Sequence, residues 1–223
     1  MDAAISKGSW RGLRAGICAV VGLLLVWSVA SALVGNSLDK PAQQVVFQAA
    51  AVLILLSLHH YFNSDTPISS TGALGRAGRI ATAGSLGVIA IHVVAFAHAM
   101  FFDVPVEPKM MEIRATEGIG AWSRLLLSAV VLAPIWEELF FRRFLLELFP
   151  VQRSWLWAAF GGLATAAAFA AFHYSYMYPS TFVLLGVLGL IFAWVRIRSG
   201  TLWAPILLHA VAAVTGLLLN LLR

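Results

Sequence analysis

Apolar residues run along this chain in seven long blocks, near 13–35, 42–62, 79–101, 121–148, 155–177, 180–197 and 202–222. Crossing a bilayer as a helix takes about 20 apolar residues, so most of these blocks qualify as spans. The sixth is short, and the fourth is long enough to tilt or to extend beyond the bilayer. Turn chemistry separates them: Asp39-Lys40-Pro41, Asn63 to Gly78 around Pro67, Asp103 to Gly120, Pro150 to Ser154, Tyr178-Pro179-Ser180 and Arg198-Ser199-Gly200. The pattern predicts an all-α, polytopic transmembrane helical bundle of about seven spanning segments. The expected organisation is one integral membrane domain over 1–223, with three segments and a loop in 1–120 preceding the rest. The loop from 102 to 120 carries Asp103, Glu107, Lys109, Glu112, Arg114 and Glu117 and reads as a solvated loop rather than an amphipathic helix.

Composition strengthens this reading. The chain is 61% hydrophobic and 11% charged, against about 45–50% and about 25% in soluble domains. The net charge of +5 is thinly spread. With no basic run and no aromatic-basic interleaving, nucleic acid is not an expected partner; the lipid bilayer is. With the N-terminus inside, ten of the fifteen Lys and Arg fall on the inner side: Lys7, Arg11, Arg14, Arg76, Arg79, Arg142, Arg143, Arg153, Arg196 and Arg198. That bias predicts a multi-pass cell-membrane protein with a cytoplasmic N-terminus. The apolar stretch after Arg14 runs on to Val34, too long for a signal-peptide core, so a retained first helix is expected. The lone Cys18 excludes an intrachain disulfide and reads as a small packing residue.

Against that background, four ionisable residues stand out. Glu137 and Glu138 lie in the fourth block, His173 in the fifth and His209 in the seventh. A charge in a spanning helix costs about 2.5–3.5 kcal/mol even on the lenient insertion scale, so such residues face inward, find partners and mark function. Glu138 and Arg142 are four apart and share a helix face. Glu137 points about 100° away from Glu138, so one carboxylate is free for general-base work while the other pairs with arginine. Arg143 and Glu147 read as a solvated helix end. The small residues from Ala164 to Ala171 let helices approach closely and would bring His173 toward a neighbour. His209 follows Pro205 by four residues, and the proline is expected to free a carbonyl and kink the helix.

The run Glu137-Glu138-xxx-Arg142, then Phe169-xxx-His173, then His209 after Gly200-Thr-Leu-Trp203, resembles the three motifs of the CPBP family. These are the CAAX-prenyl proteases and bacteriocin-processing proteins, also called Abi. The resemblance covers roughly 121–222. It implies a glutamate-dependent intramembrane endopeptidase acting on a membrane-associated protein or peptide. Glu137 with His173 would activate the attacking water, and His209 would polarise the scissile carbonyl or hold the oxyanion. Glu138 and Arg142 would hold the architecture, and Phe169 belongs to the second motif. The family often carries Asn four residues after the last histidine; here that position is Ala213, which cannot donate a hydrogen bond.

Other readings stand beside this one. Ala213 favours a non-catalytic scaffold or regulator that keeps the family fold. A small transporter with Glu137 as proton relay lacks the support of an inverted repeat. Zinc on Glu137, Glu138, His173 and His209 is a minority alternative to a cofactor-free site, since no His-Glu-xx-His spacing occurs. His59 and His60 read as interfacial, His92 and His98 as packing residues, and Gly186 and Gly189 as helix contacts. Straight helices pose a geometric problem: Glu137 would stand about 20 Å, and His173 about 30 Å, from the Pro150 turn.

Overall fold

The computed structural model describes residues 2–34, 38–63 and 71–223, with side chains over 12–32, 38–62 and 75–223. The side chains of Lys7 and Arg11, and the turn around Pro67, lie outside the described residues. Seven helical spans are long and apolar enough to cross a membrane, and no strand occurs among the described residues.

The helices are α1 (Asp2–Val34), α2 (Lys40–Asn63), α3 (Thr71–Phe101), the short α4 (Pro108–Arg114), a composite span from Ile119 to Leu148, α7 (Trp155–Phe172), α8 (Pro179–Ser199) and α9 (Trp203–Leu221). Their ends follow local chemistry. Asp39 caps α2 through Oδ1, which accepts the Ala42 N–H at 2.8 Å. Ser154 caps α7 by accepting from Trp157 N. Pro108 and Pro179 open α4 and α8, where a missing N–H costs nothing. Gly200 closes α8 in the left-handed region at φ 71°.

The composite span alternates between helix types. It comprises α5 (Ile119–Leu126), a π-helical stretch Leu127–Leu132, α6 (Ala133–Glu138), a second π stretch Leu139–Leu145 and a 3₁₀ turn Leu146–Leu148. Pro134 supplies a reason for the first π stretch: its ring crowds the carbonyl one turn back, and a wider turn relieves that clash. Glu137 and Glu138 thus sit on a short α-turn between two π segments.

This span lies between two groups of helices. On one side α1 and α2 form a core of Ala15, Ala19, Ala51 and Leu55 against Trp136, Leu139 and Phe144. On the other, α3, α7, α8 and α9 surround Phe141 with Val88, Phe169, Phe192, Val195 and Leu208. Residues facing away from both cores, such as Leu24, Leu53 and Val183, are apolar and exposed, as a lipid-facing surface requires. Polar contacts join the ends expected to share a side. Arg124 meets Asp39, and Arg114 donates to the Asn220 carbonyl, on one side; Arg76 donates to the Arg198 carbonyl on the other.

Several sequence expectations change. The fifth segment ends at Phe172 rather than 177, which leaves His173 as the cap residue of α7. Pro205 lies in the first turn of α9, where N–H groups have no intrahelical partner, so it produces no kink by loss of a hydrogen bond. Cys18 is exposed on α1 and fills no core. Gly189 is a close helix contact, whereas a Cβ on Gly186 would meet nothing within 4 Å. The pairing of Arg143 with Glu147 is not a solvated helix end: Arg143 is buried, also donates to His59 Nδ1 at 2.9 Å, and Glu147 is shared with Arg196 at 3.0 Å. His59 is therefore part of a polar cluster. Arg142 is fully buried and is no loop charge, which removes it from the inner-side count.

Candidate active site

Glu138 is fully buried, and its Oε1 receives two partners: Arg142 Nη1 at 3.0 Å and His209 Nδ1 at 3.1 Å. Arg142 extends the network by donating Nη2 to the Gly189 carbonyl on α8 at 3.1 Å. Its guanidinium lies over the rings of Phe169, Phe192 and Phe141, at 4.8, 5.3 and 5.6 Å from their centroids. Cation–π attraction in a desolvated setting supports the charge there. The approach of α8 depends on small residues: a Cβ on Gly189 would stand 2.9 Å from the Ala166 Cα of α7.

Glu137 points to a different partner set, as the 100° rotation between neighbours on a helix anticipates. Its Oε2 is 3.9 Å from His173 Nε2 and 3.9 Å from His209 Nε2. Both distances exceed a direct hydrogen bond, and Oε2 has no hydrogen-bond partner among the described residues. Each histidine is fixed from behind. His173 Nδ1 faces the Phe169 carbonyl at 2.8 Å, and His209 Nδ1 faces Glu138. A carbonyl and a carboxylate can only accept, so each Nδ1 carries a proton and each Nε2 is directed at Glu137.

Phe169 connects these parts. Its carbonyl holds His173, its ring lies under Arg142, and its edge-to-face contact with His209 has a centroid distance of 5.5 Å. Phe192 stacks on His209 with ring centroids 5.1 Å apart. The structure thus brings Glu137, Glu138, Arg142, Phe169, His173 and His209 into one cluster, although they come from three chain regions. Ala213 lies half-buried one turn beyond His209. The straight-helix problem is met by geometry. His173 is about 27 Å along α7 from Trp155 and Glu137 about 17 Å from Leu148, so the two helices must be inclined for the side chains to meet.

The charged loop before the composite span is not simply solvated. Glu107 is buried and accepts from Met177 N and Tyr178 N, both at 2.9 Å, and from the Thr181 hydroxyl at 2.6 Å. Sequence reasoning missed it because its partners are two backbone amides and a hydroxyl some seventy residues on. Tyr176, in the same turn, stacks on His173 with ring centroids 6.1 Å apart. Burial, with the nearby Glu137 and Glu107 carboxylates, pushes its phenol up to about 12. At the other end of the molecule a cavity of about 620 Å³ is lined by Arg142, Glu147, Arg153 and Arg196 among others. It reaches the back of Arg142.

Residues 120–215 match the family described as type II CAAX prenyl endopeptidase Rce1-like. The chain belongs to the CPBP family. A protein of Escherichia coli described as an "Uncharacterized 24.3 kDa protein" is 35% identical over 153 residues, covering 68% of this chain and 69% of that one. No solved structure matches. Membership places the chain among the membrane-embedded proteases, and the seven apolar spans make it a multi-pass membrane protein.

Proposed function

We propose that the chain is an intramembrane endopeptidase that hydrolyses a peptide bond of a membrane-associated protein or peptide, with Glu137 as the base. The observation that carries this reading is the convergence of His173 Nε2 and His209 Nε2 on Glu137 Oε2, each at 3.9 Å. A water bonded to all three at about 2.8 Å fits those separations.

The proton inventory supports a division of labour. With both Nδ1 protons committed, three lone-pair groups face one point, and a water has only two protons to offer. In the proposed reaction, one further proton is carried by His209. On His209, Nε2–H donates to the carbonyl oxygen of the substrate, and Glu138 stabilises the imidazolium from behind. Glu137 and His173 accept from the water. The water oxygen attacks the carbonyl carbon and its proton passes to Glu137. The oxyanion is held by His209 Nε2–H. Collapse of the tetrahedral species breaks the C–N bond, and the proton on Glu137 moves to the leaving nitrogen. A carboxylic acid and an amine result.

We favour a metal-free centre. Two ligands of a tetrahedral zinc, each at 2.0–2.1 Å, stand about 3.4 Å apart, closer than the 3.9 Å separations here. In this reading the whole of 1–223 forms one membrane domain, the core reaction uses 121–222, and the N-terminus faces the cytoplasm of a cell membrane. Cleavage of a membrane-peptide library by the purified chain tests the proposal. Cleavage should survive exhaustive chelation and vanish in Glu137→Gln; activity lost on chelation and restored only by zinc would overturn the metal-free centre.

A further inference from the structure

We infer that Glu107 is a positioning residue that holds His173 in register with Glu137, an inference that rests on the endopeptidase reading above. His173 is the cap residue of α7, one position past its last helical residue. Its amide still bonds to the Ala170 carbonyl, and its own carbonyl accepts from Tyr176 N, across a turn. The ring of His173 is held by the Phe169 carbonyl, but its backbone stands at a helix end followed by a five-residue connection, and its position depends on how that connection is anchored. Glu107 is the anchor. Its carboxylate takes the amides of Met177 and Tyr178 and the hydroxyl of Thr181, closing the turn directly onto the first residues of α8. A carboxylate at a helix N-terminus is favoured by the helix dipole as well as by these bonds.

The anchor is itself braced. The Glu107 carbonyl accepts from Met110 N and Met111 N and so starts α4. From α4, Met110 presents its carbonyl to Asn220 Nδ2 at 3.1 Å, and Arg114 donates to the Asn220 carbonyl. Asn220 lies in the last turn of α9, the helix that carries His209. One short segment, 107–114, therefore ties together the turn after His173, the start of α8 and the end of α9. It precedes the region that matches the family, 120–215. The two histidines come from different helices, and this collar fixes their separation on the side where His173 leaves its helix.

The test uses the full chain in lipid nanodiscs with Glu107→Gln, Thr181→Val and Thr181→Ser. Glutamine keeps one acceptor oxygen and sets an NH2 against the remaining amide donor; valine removes the hydroxyl bond alone, and serine keeps it. Two quantities are read: turnover of a cleaved peptide, and the rate at which diethylpyrocarbonate modifies His173 and His209, followed by mass spectrometry. Glu107→Gln should lower kcat by about 10–100-fold with a smaller change in KM. It should change the His173 modification rate severalfold while leaving His209 within twofold. Thr181→Val should fall between, and Thr181→Ser should stay near wild type. Should Glu107→Gln fail to fold, Thr181→Val against Thr181→Ser decides. Unchanged His173 reactivity, or unchanged kcat despite altered reactivity, would overturn the inference. If wild type and Glu137→Gln are equally inactive, the endopeptidase reading fails instead, and His173 reactivity alone judges the anchor.

Discussion

Glu138 Oε1 and His209 Nδ1 are 3.1 Å apart, and this contact fixes which way His209 presents its other nitrogen. Because Arg142 occupies the same carboxylate oxygen at 3.0 Å, the acid is committed to structure and charge balance. The adjacent Glu137 is left free. Two neighbouring carboxylates thus acquire separate roles from one turn of helix.

Removing Glu138 should separate those roles. Glu138→Leu leaves Arg142 buried and uncompensated and should cost about 3–5 kcal/mol of stability. Adding Arg142→Met should recover most of that loss, since an apolar pair tolerates burial, yet cleavage should stay low because His209 has lost its orienting acceptor. Reversible unfolding in detergent together with peptide cleavage measures both. An active double variant would show that the ion pair serves stability alone.

Gly189→Ala should disturb both packing and the site. The new Cβ would stand 2.9 Å from the Ala166 Cα, a backbone atom that cannot swing aside. Overpacking of this kind costs about 1–3 kcal/mol. Separation of α7 from α8 would also pull the Gly189 carbonyl from Arg142. Gly186→Ala, with nothing within 4 Å, is the control and should be neutral or stabilising by up to about 1 kcal/mol.

Ala213→Asn should keep or raise activity. Position 213 lies one turn past His209 and an amide there would add a second donor near the developing oxyanion. A lost donor of that kind costs about 10²–10³ in rate in other enzymes. A large fall in kcat/KM would mean that the pocket is built around a small residue.

Tyr176 should titrate late. Its ordinary value of 10.0 is pushed up to about 12 by burial and by the carboxylates of Glu137 and Glu107. The unfolded chain releases this proton first, so stability should be full below about pH 10 and fall as pH rises toward about 12. Comparing wild type with Tyr176→Phe by absorbance of the phenolate identifies the group. A Tyr176 transition near pH 10 would contradict the packed position of the ring.

The sequence made the spans and the candidate site residues legible for one reason: charge in an apolar segment is costly, so Glu137, Glu138 and His209 stood out from their surroundings. The Glu138–Arg142 pair followed from a spacing of four. Glu107 was illegible because it lies among other charges in a loop, where a buried acid and a solvated one look alike. Nothing local announces that distant backbone amides will cover the carboxylate. Arg143 and Glu147 misled for a related reason: the four-residue spacing was visible, while the burial of Arg143 and its cluster with His59 from α2 and Arg196 from α8 depend on distant helices. The π stretches around Glu137 and Glu138, and the inclination that brings His173 to Glu137, are properties of packing between helices. A straight-helix reading could only register them as a conflict.

The most direct measurement compares protein termini in membranes of cells carrying the wild-type chain or Glu137→Gln at equal, folded levels. A set of new termini present with wild type and absent with Glu137→Gln is the expected result, and it would name the substrate and the cleaved bond. Identical termini in both, with the protein pool of the membrane expressed, would contradict Glu137-dependent proteolysis and favour a non-catalytic scaffold.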